Sequence, residues 1–145
     1  MSISIRQAQP ADATTIAELI RELAEGEEEE TPVTVAYVIG YLTVPGNGVL
    51  LAERGGNTLG LISYSIRPNL YHAADSCLIE ELIVHREARG TGVGRALVDD
   101  LTRRAMVLEC AEISVSTLPD NDAAIQFYRI LGFTDEALFL EKHLQ

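Results

Sequence analysis

The feature that most restricts this chain is a set of alternate glycines, Gly90, Gly92 and Gly94, wedged between an apolar stretch and an amphipathic one. Residues 78–85 show little strict alternation, as expected of a strand covered on both faces in the middle of a sheet. From Val93 to about Val107, Leu97, Val98, Leu101 and Ala105 recur at helical spacing, and residues 113–116 read as a further strand. Strand, glycine turn, helix and strand make one βαβ unit. The fold class that follows is α/β.

A glycine-rich turn that opens a helix presents unpaired backbone N–H groups at the positive end of the helix dipole, which is a site for phosphate. A dinucleotide fingerprint would need a third glycine where this chain has Arg95. A nucleoside-triphosphate loop would end in Gly-Lys-Ser/Thr, whereas Gly94 is followed by Arg95-Ala96. Both readings fail. What remains is Arg-x-x-Gly-x-Gly as Arg89, Gly92 and Gly94, whose bare amides could wrap a pyrophosphate while Arg89 or Arg95 adds charge-assisted bonds.

The rest of the chain surrounds this unit. Ile3 and Ile5 alternate in a short first strand, and Pro10-Ala11-Asp12 opens a helix whose stripe is Ile16, Leu19, Ile20 and Leu23, ending at Gly26. Four consecutive glutamates, residues 27–30, predict a solvated loop, and residues 34–42 a second short helix. Strands over residues 49–53 and 58–66 are joined through Gly55-Gly56-Asn57, and Arg67-Pro68-Asn69 is expected to close the second. Pro119-Asp120-Asn121-Asp122 supplies a turn and side-chain cap for a helix stopped by Gly132. A last strand is expected over residues 137–143. With 145 residues and no linker or repeat, residues 1–145 are expected to form a single domain.

Composition narrows the partners. A net charge of -11 and a pI near 4.6 repel nucleic acid and anionic membranes, so neither is expected as a partner. No apolar run spans a bilayer and the N-terminus carries no signal-like segment, which points to the cytoplasm. Cys77 and Cys110 lack zinc-ligand spacing to each other or to the histidines, so no metal is expected.

Three stretches together resemble the GNAT superfamily of N-acetyltransferases: Leu82-Ile83-Val84, the Arg89–Gly94 cluster, and residues 121–133, an Asn opening a helix that carries Phe-Tyr and ends at Gly-Phe. Ile5-Arg6-x-Ala8 with Asp12 fits the same pattern, so the resemblance covers essentially the whole chain. It implies a mostly antiparallel sheet with one splayed parallel pair and about four helices. It implies acetyl-CoA as cosubstrate, its pyrophosphate on Arg89, Gly90, Thr91, Gly92, Val93, Gly94 and Arg95. Leu82, Ile83 and Val84 would line the pantetheine arm, and Asn121 would both cap its helix and touch the coenzyme. Tyr128 would be the acid that protonates the departing thiolate.

Direct attack on a thioester requires the acceptor amine, with a pKa near ~10.4, to lose a proton. Glu80 and Glu81 are candidate bases; adjacent on a strand, they should point to opposite faces, so only one would reach the acceptor. The resemblance favours Glu80, and a bulge would exchange the two. Weaker similarity to diamine acetyltransferases lies in residues 19–24, the acidic loop and the glutamate pair, which implies a cationic amine acceptor. A peptide acceptor, a non-catalytic coenzyme-binding module and a homodimer are all compatible with the same sequence.

Overall fold

A computed structural model describes residues 2–145. Strand β1 (Ser4–Gln7) leads through a 3-10 turn at Pro10–Asp12 into α1 (Ala13–Gly26) and α2 (Val35–Thr43). Strands β2 (Asn47–Arg54), β3 (Asn57–Asn69) and β4 (Ala74–Val84) follow, then a 3-10 turn at Arg86–Ala88, α3 (Val93–Val107), β5 (Glu112–Val115) and α4 (Asp122–Ile130). The sheet order is β1-β2-β3-β4-β5, antiparallel throughout except for the parallel β4–β5 pair that α3 connects. This is the mixed sheet with four helices that the family resemblance implies.

Local chemistry explains where elements start. Asp12 accepts the Gln9 amide at 2.8 Å and receives both terminal nitrogens of Arg6 at 2.8 and 2.9 Å, tying β1 to the head of α1. Thr34 caps α2 by accepting the Tyr37 amide at 3.0 Å, and Asn121 caps α4 by accepting the Ala124 amide at 3.1 Å. Gly132 closes α4 at a φ of 102°, a conformation that costs other residues a Cβ clash.

Each face of the sheet buries its own core. Ile16, Leu19 and Val38 of α1 and α2 cover Val49, Leu51, Leu61 and Ile83 on one face. Leu97, Val98 and Leu101 of α3, with Tyr128 of α4, cover Leu50, Ile62, Tyr64 and Ile79 on the other. At roughly 1.5–3 kcal/mol for each large apolar side chain removed from water, these two layers supply most of the drive to fold.

Two expectations are corrected. Residues 67–69 do not end β3: Arg67, Pro68 and Asn69 pair with Ser76, Asp75 and Ala74 in a long hairpin. Pro68 is tolerated because β2 pairs with β3 only as far as Ser65, so the missing N–H deprives no neighbour. Asn69 turns the chain by accepting the His72 amide at 3.0 Å, and Ala73 takes a φ of 51°. The second correction is the C-terminal strand: residues 137–143 join no ladder, and Leu138, Phe139 and Leu140 are exposed. Alternation marks a segment as fit for a sheet, but a strand exists only where an edge runs beside it.

Candidate active site

The glycine cluster folds as the sequence predicts. Gly90 and Gly92 have φ values of 76° and 88°, and Gly92 forms the left-handed N-cap of α3. A side chain there would be strained by the backbone, although open space surrounds both positions. The first α-helical bond runs from the Ala96 N–H to the Gly92 carbonyl at 3.0 Å, so the amides of Val93, Gly94 and Arg95 precede the helical ladder and point out at its mouth. Thr91 donates its hydroxyl to the Ala88 carbonyl, bracing the loop from behind. An open cradle of free amides on a 15-residue helix fits a pyrophosphate.

The two arginines lie at its rim. Arg89 is half-exposed, donates its Nε to the Val84 carbonyl at 3.1 Å and approaches Glu22 at 3.8 Å. Arg95 is exposed and pairs with Asp99 at 3.6 Å. At Gly94 an added Cβ would lie 3.4 Å from the Phe127 ring and 3.7 Å from Val84 Cγ2, ordinary van der Waals separations.

Strand β4 changes partners in mid-course. Pairing with β5 spans only Ser76–Ile79 against Glu112–Val115, whereas pairing with β3 continues to Val84. From residue 80 onward the β5-facing edge of β4 has no strand beside it, so alternate main-chain groups through Leu82, Ile83 and Val84 are left for another partner. The register also slips there: Tyr64 faces Ile79 but Ser63 faces Glu81, which leaves Glu80 as the extra residue of a bulge.

That bulge corrects the expectation that the two glutamates point to opposite faces. Before it, Cys77 and Ile79 point toward α3; after it, residues of the same parity point toward α1 and α2, as Ile83 does. Glu80 and Glu81 therefore project to one face, and both line a cavity of about 520 Å³ walled by Ile16 and Ile20 of α1, Tyr37, Val38 and Tyr41 of α2, and Leu61 and Ser63 of β3. Glu81 is the more enclosed. Its carboxylate accepts the Ser63 hydroxyl and its amide donates to the same oxygen at 2.9 Å. Burial raises its pKa above the usual carboxylate range, against the opposing hydrogen bond from Ser63 and with the help of the neighbouring Glu80 charge. Glu80 is exposed and accepts the Ser65 hydroxyl at 3.1 Å.

Tyr128 sits on α4 on the other face of the sheet, its ring packed edge-on against Phe127 and Phe133 at centroid distances of 5.0 and 5.4 Å. Burial pushes its phenol up to about 12. Glu80 and Glu81 lie on the stretch of β4 that extends beyond the end of β5 while still paired with β3. Cys77 is buried and pushed up to about 12 by desolvation, the state of an inert core thiol. Sequence reasoning missed Ser63 and Tyr41. The lone hydroxyl of Ser63 within Leu61-Ile62-Ser63-Tyr64 was a signal for the first, whereas Tyr41, which donates to the Tyr64 carbonyl at 2.9 Å, carried none.

The sequence profile of the Acetyltransferase (GNAT) family matches residues 13–133. The chain belongs to this family of N-acetyltransferases. Among related proteins, this acetyltransferase is 27% identical to the thialysine N-epsilon-acetyltransferase of Sus scrofa over 92% of its own length and 85% of the relative's. It is 26% identical to the L-2,4-diaminobutyric acid acetyltransferase of Halomonas elongata over 88% and 64% of the two chains. Among solved structures, a transcriptional regulator from Bacillus halodurans superposes with a TM-score of 0.86 at 27% identity, covering 99% of this enzyme and all of that chain. Among the described residues of this acetyltransferase, no helix is long and apolar enough to cross a membrane and no three metal-ligating side chains converge.

Proposed function

We propose that the enzyme moves an acetyl group from acetyl-CoA to the primary amine of a small cationic molecule by direct attack within a ternary complex. The observation that carries this reading is the β4 bulge, which sets two carboxylates side by side in a largely apolar cavity with hydroxyls from Thr31, Thr34, Tyr37, Tyr41 and Ser63, at the point where β4 parts from β5. An alkylammonium entering the cavity would meet negative charge at Glu80 and Glu81, with its carbon chain against apolar side chains such as Ile16, Ile20 and Val38. The amine-acting relatives are consistent with this acceptor class.

Each group then has a task. The amides of residues 93–95, flanked by Arg89 and Arg95, hold the pyrophosphate; Gly90 and Gly92 let the chain bend around it, with Thr91 bracing the turn. Unpaired main-chain groups of Leu82, Ile83 and Val84 bond the pantetheine arm, and an N–H of this segment polarises the thioester carbonyl. Asn121 caps α4 and holds Tyr128 in line with the loop. Glu81 takes the proton from the ammonium, directly or through water, because its raised pKa makes it the stronger base; Glu80 binds the cationic body of the acceptor. The amine nitrogen bonds the carbonyl carbon, the carbon–sulfur bond breaks, Tyr128 protonates the thiolate, and the second proton that the nitrogen sheds on becoming an amide returns through water to the tyrosinate. A phenol at about 12 keeps its proton until the sulfur needs it.

Thiol release from acetyl-CoA across a panel of diamines, neutral amines and peptides tests the proposal. General acid–base participation predicts that Glu81→Gln and Tyr128→Phe each lower kcat about 10²–10⁴-fold with little change in coenzyme affinity. Glu80→Gln should chiefly raise KM for dications. Equal turnover of neutral and cationic amines would refute the acceptor assignment, and full activity of Tyr128→Phe would remove the acid.

A further inference from the structure

The turn that delivers the chain into the glycine loop has no cap of its own. Residues Arg86–Ala88 form a 3-10 turn whose N-cap residue, His85, makes no side-chain bond to it. The bond comes from α1 instead. Glu22 Oε2 accepts the Arg86 amide at 2.9 Å, while Oε1 lies 2.5 Å from His85 Nδ1. The Glu22 side chain is only 12% exposed, and Nη2 of Arg89 stands 3.8 Å from its Oε2. A carboxylate with both oxygens engaged by one distant segment differs from the solvated glutamates around it. Arg89 is thereby restrained twice. Its Nε–H is committed to the Val84 carbonyl at 3.1 Å and its Nη2 is drawn to Glu22, which leaves Nη1 unengaged among the described residues. Further along, the Thr91 hydroxyl holds the Ala88 carbonyl, so the segment from 86 to 91 is tied at both ends.

We propose that Glu22 is a positioning residue for the coenzyme: from α1 it fixes the 86–88 turn and the direction of Arg89, and so presets the loop for a diphosphate. The inference rests on the reading that this loop holds the pyrophosphate of coenzyme A. Glu22 acts through Arg86 and Arg89 and not by contact, since a carboxylate beside a diphosphate would repel it. Order set in advance raises affinity because less freedom is lost on binding. Glu22→Gln keeps the shape, but its single carbonyl oxygen must serve both the Arg86 amide and His85, and it offers Arg89 no charge. Removing a negative charge near the loop would by itself tighten the binding of an anion. Weakened binding is therefore the signature of lost order.

The experiment compares two donors, acetyl-CoA and S-acetylpantetheine, which carries the same thioester without the diphosphate. Thiol release is followed with the amine that the parent enzyme uses best, and coenzyme A binding is measured separately by calorimetry. Glu22→Gln should weaken coenzyme A binding and lower kcat/KM for acetyl-CoA by about 3–10-fold, the effect of one immobilised side chain. The kcat/KM for S-acetylpantetheine should stay where it was. An equal fall with both donors overturns the inference, because a general loosening of α1 would act on either. Unchanged or tighter coenzyme A binding overturns it as well. A parent enzyme that uses the two donors equally well removes the pyrophosphate reading of the loop, and this inference with it.

Discussion

Gly60 tests how tightly the coenzyme loop is coupled to the sheet. It sits on β3 opposite Val84, and a Cβ there would lie 2.6 Å from the Ile83 carbonyl oxygen, 3.1 Å from Val84 Cα and 3.4 Å from Val93 Cγ1. The first two are backbone atoms and cannot rotate away. Restoring an ordinary C···O separation of about 3.3 Å requires β4 to retreat by about 0.7 Å. Such a shift stretches the neighbouring bond from the His85 amide to the Leu59 carbonyl, now 2.8 Å, to the limit of a hydrogen bond. Overpacking costs about 1–3 kcal/mol and a weakened ladder bond about 1 kcal/mol, offset by about 0.5–1 kcal/mol from a less flexible unfolded chain. Gly60→Ala should therefore lose about 2–3 kcal/mol. For a chain of this length that lowers the thermal midpoint by about 8–12 °C, read by circular dichroism. Because Val84 and Val93 flank the loop, KM for acetyl-CoA should rise as well. A midpoint within about 2 °C of the parent would refute the claim that this contact is rigid.

Other changes follow from the same geometry. Gly40, in the middle of α2, would meet nothing within 4 Å of an added Cβ, so Gly40→Ala should stabilise by about 0.5–1 kcal/mol in the same melts. Asp12→Asn weakens the link between β1 and α1 and should cost about 1 kcal/mol in urea unfolding. Asp12 is held below its ordinary pKa by the hydrogen bond from Arg6; for Glu22, burial pushes upward but the bonds from His85 and the Arg86 amide outweigh it. A carboxylate depressed in the folded state stabilises above its unfolded pKa, so this stability is complete above about 4 and is lost as the pH falls further, measurable as an acid-side drop in urea midpoint. Activity follows the opposite shift. Glu81 must be ionised to act and its pKa is raised, so the acid limb of kcat/KM should lie above the ordinary carboxylate value near ~4.3 and disappear in Glu81→Gln.

The parts of the site legible in the sequence are those that short-range chemistry decides. Gly90 and Gly92 mark a loop because the backbone takes positive φ there, and Asn121 marks a helix start because its own side chain reaches the Ala124 amide three residues on. The order of strand, loop, helix and strand, with the Phe127-Tyr128 pair on the last helix, is written in local spacing. Nothing local reveals the slip between Ser63 and Glu81, since a bulge is a mismatch between two strands separated by many residues. Only when β3 and β4 are laid together does Glu80 fall out of register and both carboxylates turn to one cavity. The 67–69 segment behaved likewise: Pro68 reads as a terminator until the end of β2 is seen to leave its missing N–H without consequence. The sequence by itself thus determined which backbone conformations and helix ends this acetyltransferase must have. The tertiary structure alone decided which side chains share a face, because that depends on pairing between distant strands.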